Sequence, residues 1–292
     1  MLFAKNFLMN NLANYIGEVK AKHGVFSFCH FDKYIGLAIR EYGEFSEIEL
    51  SLMSKFIMKG DVVFDIGANI GAFTVPFSKK VGKLGEVYAF EPQKLIYDIL
   101  QDNVNKNNLK NTKVFNVGVG IKEEELELND IDYSEVGNFG GVSFKYESGS
   151  FTKNIKNKKY KVKVINLDKL IEIKKCNFVK MDVELMELDI LKGARNFLKK
   201  FRPILWIENH QHYPNEINRF LLENDYDAYW AYSKVFNKSN FFTNEKNYFD
   251  ELATLNTLAI PKEDNRFSMD KGFDKILDLY TKPKIVLNKL IK

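Results

Sequence analysis

The chain has 292 residues, 45% of them hydrophobic and 28% charged, with a net charge of +4. That balance describes a soluble globular protein long enough for one large α/β domain with appendages. The charge is too small to imply nucleic-acid binding by itself, and no apolar run approaches the length that crosses a bilayer. Cys29 and Cys176 form no C-x-x-C pair and read as reduced thiols, and the N-terminus lacks the apolar core of a signal peptide, so a cytoplasmic location is expected.

Residues 1–44 carry mixed helix and strand signals, with His23, His30 and Asp32 among aromatic residues. Ser46 and Glu49 have the spacing of a capping box; Leu52, Met53, Phe56 and Ile57 follow at helical spacing, and Gly60 is the stop. From there strands and helices alternate, the signature of a parallel sheet covered on both faces. Strands are expected at 62–66, 86–90, 113–117, 178–182, 204–208, 226–231 and 254–260. Helices are marked by Ile96, Leu100 and Val104, by Leu188, Leu191 and Leu198, and by Ile217, Phe220 and Leu221. Pro76 falls inside the helix after the first strand and is expected to bend it. The fold class is therefore α/β, a Rossmann-like, mostly parallel sheet of seven strands whose last strand inserts antiparallel. Residues 121–160, which pass through Gly137-Asn138-Phe139-Gly140-Gly141, form a long excursion expected near the site. Residues 236–249 are a second insertion, rich in Asn and Phe, and 262–292 read as a short helical tail. The expected organisation is an extension at 1–45, a main domain at 46–261 and a tail at 262–292.

The most informative segment is Asp65-Ile66-Gly67-Ala68-Asn69-Ile70-Gly71, which follows the apolar run Val62-Val63-Phe64. A strand that ends in an acid, turns through two glycines and opens a helix makes a backbone cradle, because glycine lets a ligand approach where a Cβ would block it. Glu91, at the tip of the next strand, can accept both hydroxyls of a ribose. The spacing is not G-x-G-x-x-G, and Asp65 would repel a pyrophosphate but hold a positively charged amino group. An acid-first loop of this kind favours S-adenosylmethionine, which has an ammonium, a sulfonium and no phosphate, over NAD. Ala68, Asn69, Thr74 and Pro92 belong to the same cradle, and Val117 and Gly118 fall where an adenine would lie.

These residues resemble the FkbM family of S-adenosylmethionine-dependent methyltransferases. The resemblance starts at Tyr42-Gly43-Glu44-Phe45-Ser46-Glu47 and runs through the segment from Gly60 to Gly71, Phe90-Glu91-Pro92 and Asn116-Val117-Gly118. It continues at Leu167-Asp168, at Lys180-Met181-Asp182-Val183-Glu184 with Glu187, and at Leu191-Lys192-Gly193-Ala194. It implies O-methylation, often of sugar or polyketide hydroxyls, with a small-molecule or glycan acceptor; no nucleic acid is expected, since no RNA-binding module is visible in the chain. The family usually has glycine directly after its D-V-E triplet; here Leu185 takes that place, either reshaping the wall beside the transferred methyl or packing into the following helix.

Methyl transfer needs the acceptor oxygen in line with the sulfonium and a group to take the hydroxyl proton. Asp182 and Glu184 end the fourth strand, and Glu208, Asn209, His210 and His212 end the fifth, the edge where ligands sit in open parallel sheets. His210 is the preferred base, because an imidazole accepts a proton near neutral pH; Asp182 is the rival base or an orienter, and Glu184 stands beside it. Tyr42, Phe45 and Asn69 are candidates for the methionine end, with core packing the alternative for the two aromatics. Gly140, Gly141 and Ser143 read as a lid or as an ordinary glycine turn. A divalent metal on Asp182, Glu208, Asn209 and the histidines is possible but not predicted. Ribose methylation of RNA and cofactor binding without turnover are the alternatives.

Overall fold

The computed structural model describes residues 15–142, 155–170, 172–209, 215–267, 269 and 273–284. Its centre is an eight-stranded sheet built from β3 (Val62–Ile66), β4 (Glu86–Phe90), β5 (Thr112–Phe115), β9 (Phe178–Met181), β10 (Ile204–Glu208), β11 (Tyr226–Lys234), β12 (Ala253–Pro261) and β13 (Phe273–Ile276). The strand order is β13-β11-β12-β10-β9-β3-β4-β5. The five strands from β10 to β5 run parallel, whereas β12 lies antiparallel between β10 and β11, as the sequence pattern requires. β13 is an eighth strand at the edge, antiparallel to β11. The described residues of the C-terminal tail thus form a strand rather than the expected helix.

Near-continuous apolar runs in β3, β9 and β10 follow from burial on both faces. Alternate residues feed separate cores. Val63, Trp206 and Leu258 meet Met53, Ile57 and Phe77 on one side, while Phe64, Val179 and Leu205 meet Leu191, Leu198 and Phe220 on the other. The first core is covered by α2 (Glu47–Ser54) and α3 (Thr74–Val81), the second by α5 (Glu187–Gly193), α6 (Arg195–Phe201) and α7 (Glu216–Glu223). The expected single helix over Leu188 to Leu198 is two, parted at Ala194. Pro76 stands in the first turn of α3, which begins at Thr74, a position where proline is tolerated.

Two corrections concern segments outside the sheet. Ser46 is at φ 44° and makes no side-chain cap; its hydroxyl instead donates to Glu49 Oε2 at 3.0 Å, so the capping box is replaced by a buried side-chain pair. The N-terminal signals resolve into a hairpin, β1 (Ile16–Ala21) and β2 (Gly24–Cys29), and α1 (Ile35–Tyr42). Asn103, from α4 (Lys94–Lys106), fastens the hairpin by exchanging hydrogen bonds with the Ser27 backbone at 2.6 and 3.0 Å while donating to Ile70 O.

The excursion after β5 is itself a small sheet, β6 (Gly118–Val119), β8 (Ile155–Ile165) and β7 (Glu124–Ile131) in that order. The insertion at 236–249 is held by side chains. Glu44 accepts from Asn237 Nδ2 and Phe241 N, and the Tyr42 hydroxyl bridges Lys246 O and Tyr248 N. Tyr42 packs on Phe236 and Phe249 and is buried away from the cavity described below, so core packing accounts for it.

Asp168 shows how one polar residue fixes a helix entry. Its carboxylate accepts from Phe197 N at 2.6 Å and from Asn196 N and Nδ2 at 3.1 and 3.0 Å, satisfying the open amides at the start of α6. Asp168→Ala is expected to cost about 1 kcal/mol, lowering the thermal midpoint by roughly 2–4 °C in circular dichroism without changing the native spectrum.

Candidate functional site

The register of the sheet lines up the tips of its parallel strands. Ile66 pairs with Phe90 and Met181, and Met181 with Ile207. The next residue on each strand is Gly67, Glu91, Asp182 and Glu208, and Glu208 pairs in turn with Asn256 on β12. This row stands at the carboxyl edge, where β3 and β9 meet and the order of connection reverses, the place at which open α/β sheets form a crevice. A cavity opens there. Its wall includes Gly67, Ala68, Asn69, Glu91, Pro92, Val117, Gly118, Asp182 and Glu184 of the expected site, together with Phe45, Glu49, Lys180, Glu208 and Asn256.

Three residues of the expected cofactor cradle stand off that wall. Asp65 is fully buried beneath it, accepting from Thr74 Oγ1 at 2.6 Å through Oδ2. Its Oδ1 makes no hydrogen bond among the described residues and has Lys180 Nζ 3.6 Å away. Thr74 is likewise buried, and Gly71 turns the chain at φ 89° against Leu100. Gly67 is on the wall, but the demand for glycine comes from elsewhere than a ligand: φ is 77°, and a Cβ would lie 1.8 Å from Asp182 O. The loop can therefore cross from β3 only by touching the end of β9.

Lys180 is the residue that the sequence reading passed over. It is buried, donates to Gly67 O at 3.0 Å and has Asp182 Oδ2 at 3.3 Å. Burial alone would lower its pKa, but the carboxylates of Asp182, Asp65 and Glu49 outweigh this and raise it, so the ammonium stays charged. A lysine inside an apolar strand run was the available signal, since a buried charge needs partners. Glu49 was missed as well, because its spacing from Ser46 suggested a cap.

Burial pushes four of the acids at and beneath the cavity toward protonation. Glu91 rises to about 7, against the opposing hydrogen bonds from Gln93 N at 2.8 Å and Asn69 N at 3.0 Å. Glu184 is raised well above the usual carboxylate range, by burial and then by Glu208 and Asp182. Glu49 and Asp65 rise for the same first reason. Glu184 and Leu185 both adopt positive φ, 54° and 74°. Glycine at the second position would be unstrained, so the leucine found there costs about 1 kcal/mol. Leu185 does not line the cavity; the positive-φ turn aims Glu184 into it.

A loop from the excursion closes one side. Asn138, Gly140 and Val142 are on the wall, and Gln93 Nε2 donates to Phe139 O at 2.8 Å. His210, His212 and Ser143 lie outside the described residues. Among the described residues no group of three or more His, Cys, Asp or Glu is arranged to hold a metal, and no helix is long and apolar enough to cross a membrane.

Comparison with known proteins gives this cavity a context. Residues 65–228, more than half of the chain, match the methyltransferase FkbM domain. The hexuronic acid methyltransferase AglP of Haloferax volcanii is 29% identical over 167 residues, 56% of this chain and 62% of that protein. Methyltransferase 1 of Beauveria bassiana is 25% identical over 143 residues, 45% of this chain and 57% of that protein. The chain thus spans about three fifths of the length of these curated relatives. The crystal structure of methyltransferase FkbM from Methylobacillus flagellatus superposes with a TM-score of 0.42 at 19% identity, over 68% of this chain and 43% of that one. With the matched span running from the acid at the end of β3 to the start of β11, the chain belongs to the FkbM methyltransferase family.

Proposed function

We propose that the protein transfers a methyl group from S-adenosylmethionine to a hydroxyl of a carbohydrate or related metabolite. The observation that carries this reading is the charge of the cavity. Among the described residues its wall presents Glu49, Glu91, Asp182, Glu184 and Glu208 against one cation, Lys180. Carboxyls held toward protonation by burial ionise when a cation comes to lie among them, so this wall fits a ligand bearing an ammonium and a sulfonium and opposes a pyrophosphate. The buried Asp65 Oδ1 adds negative potential beneath the glycine turn.

Glu91 would hold the ribose: both of its oxygens already take a backbone N–H and each keeps a lone pair for a hydroxyl. Val117 and Gly118 would border the adenine, and Gly67, Ala68 and Asn69 the methionine end. The cofactor supplies an electrophilic methyl on sulfur. The chain supplies the proton acceptor and the alignment. Glu184 is the base favoured here: it lines the cavity with Asp182 and Glu208, and a cationic ligand among them favours its ionised form, a carboxylate able to take a proton. The acceptor O–H proton passes to Glu184 as the oxygen takes the methyl. A carbohydrate acceptor is supported by the relative whose name specifies a hexuronic acid.

Calorimetric titration with S-adenosylhomocysteine is expected to show saturable binding, with NAD unable to compete. If the ionised form of Glu91 receives the ribose, binding releases its proton and strengthens as pH rises through about 7. The ratio of wild-type to Glu91→Gln affinity should then grow about tenfold between pH 6 and 8; a flat ratio would remove the ribose role. In methyl-transfer assays Glu184→Gln should lower kcat by roughly 10²-fold while leaving S-adenosylhomocysteine affinity within about twofold. Loss of affinity instead of rate would reassign Glu184 to the cofactor.

A further inference from the structure

We propose that Asn256 recognises the acceptor, its amide oxygen accepting a hydrogen bond from a hydroxyl next to the one that is methylated. The assignment rests on the methyltransferase reading above and concerns the opposite end of the same cavity.

Position comes first. The row of strand tips runs Glu91, Gly67, Asp182, Glu208, Asn256, with neighbouring strands about 4.8 Å apart. The proposed cofactor cradle occupies the first three places. Asn256 is two strands beyond Asp182, about 10 Å along the row, with Glu208 between them. A group bound there faces the cradle across the carboxylates that would handle the proton.

Orientation comes second. Asn256 is 3% exposed and lines the cavity. Its Nδ2 donates to Glu49 Oε1 at 3.1 Å. That oxygen also takes the indole N–H of Trp206 at 2.9 Å, so Oε1 is an acceptor and the asparagine turns its nitrogen toward it. Glu49 Oε2 is fixed in turn by the hydroxyls of Ser46 and Thr254, each at 3.0 Å. The amide cannot flip without breaking this network. Its oxygen is therefore presented to the cavity, where it makes no hydrogen bond among the described residues and is not sealed from solvent.

Chemistry comes third. A buried carbonyl oxygen with free lone pairs selects a ligand that brings an O–H or N–H donor, and a site built around such a group penalises an analogue lacking it. The ligand on this side is the acceptor, and a polyol carries a second hydroxyl beside the reacting one. Toward the acceptor Glu49 is a positioning residue, holding the amide of Asn256 in this orientation.

The test uses a panel of methyl hexosides, methyl hexuronides and their monodeoxy derivatives, assayed with labelled methyl donor. For a panel member that is methylated, removing the hydroxyl adjacent to the modified position should lower kcat/KM about tenfold in the wild type. Asn256→Ala should lose a similar factor on the full acceptor, mainly in KM, and lose little more on the deoxy compound, with S-adenosylhomocysteine affinity unchanged. Should Asn256→Ala lose its cooperative thermal transition, Asn256→Ser carries the same comparison. Equal sensitivity of wild type and variant to the missing hydroxyl would overturn the assignment, as would parallel loss of cofactor affinity. A panel in which nothing is methylated, although S-adenosylhomocysteine binds, would overturn the carbohydrate reading and this assignment with it.

Discussion

The structure turns on one buried ammonium. Lys180 ties the carbonyl of the glycine turn to the carboxylates of Asp65 and Asp182, so the ends of β3 and β9 are joined at the point where the sheet's connections reverse. Backbone contact reinforces the joint: Asp182 N donates to Ile66 O, and the Asp182 carbonyl oxygen occupies the space a side chain at Gly67 would need. A charge so enclosed would be prohibitive alone, and it persists because carboxylates surround it. The same arrangement leaves the crevice rich in acids, so the joint that closes the fold also sets the sign of the site.

Much of this was legible because the main sheet is made of local signals. The apolar runs of β3, β4, β9 and β10, the acid-first glycine turn and Glu91 at the tip of β4 are short segments whose roles follow from periodicity and spacing. What escaped depends on partners distant in sequence. Glu49 has Ser46 as its nearest partner in the chain, but Trp206, Thr254 and Asn256 decide its role, and none of them is near it in sequence. Asp65 was expected to face a ligand; the packing of Thr74 and Lys180 draws it under the floor. The edge strand β13 escaped because four residues of weak alternation gain their ladder only from β11.

Leu185 shows how the departure from the family pattern works. From spacing alone it is another apolar residue before a helix. In the structure it occupies a left-handed position, one residue after another non-glycine in the same region, so the glycine usual in the family serves backbone freedom rather than room for a ligand. The chain keeps the turn, and the strain is stored beside the carboxylate that the turn aims into the cavity.

Asp32 ties the N-terminal hairpin to the far wall of the crevice. Its buried carboxylate caps the start of α1 through Tyr34 N and Gly36 N, while Lys33 N donates to Gly137 O and Gly137 N to Phe31 O, a short bridge between the two segments. The segment that follows the hairpin and the loop that carries Asn138 and Gly140 are therefore joined directly. One wall of the crevice is thus anchored by a segment that comes before the first strand of the main sheet and shares no ladder with it.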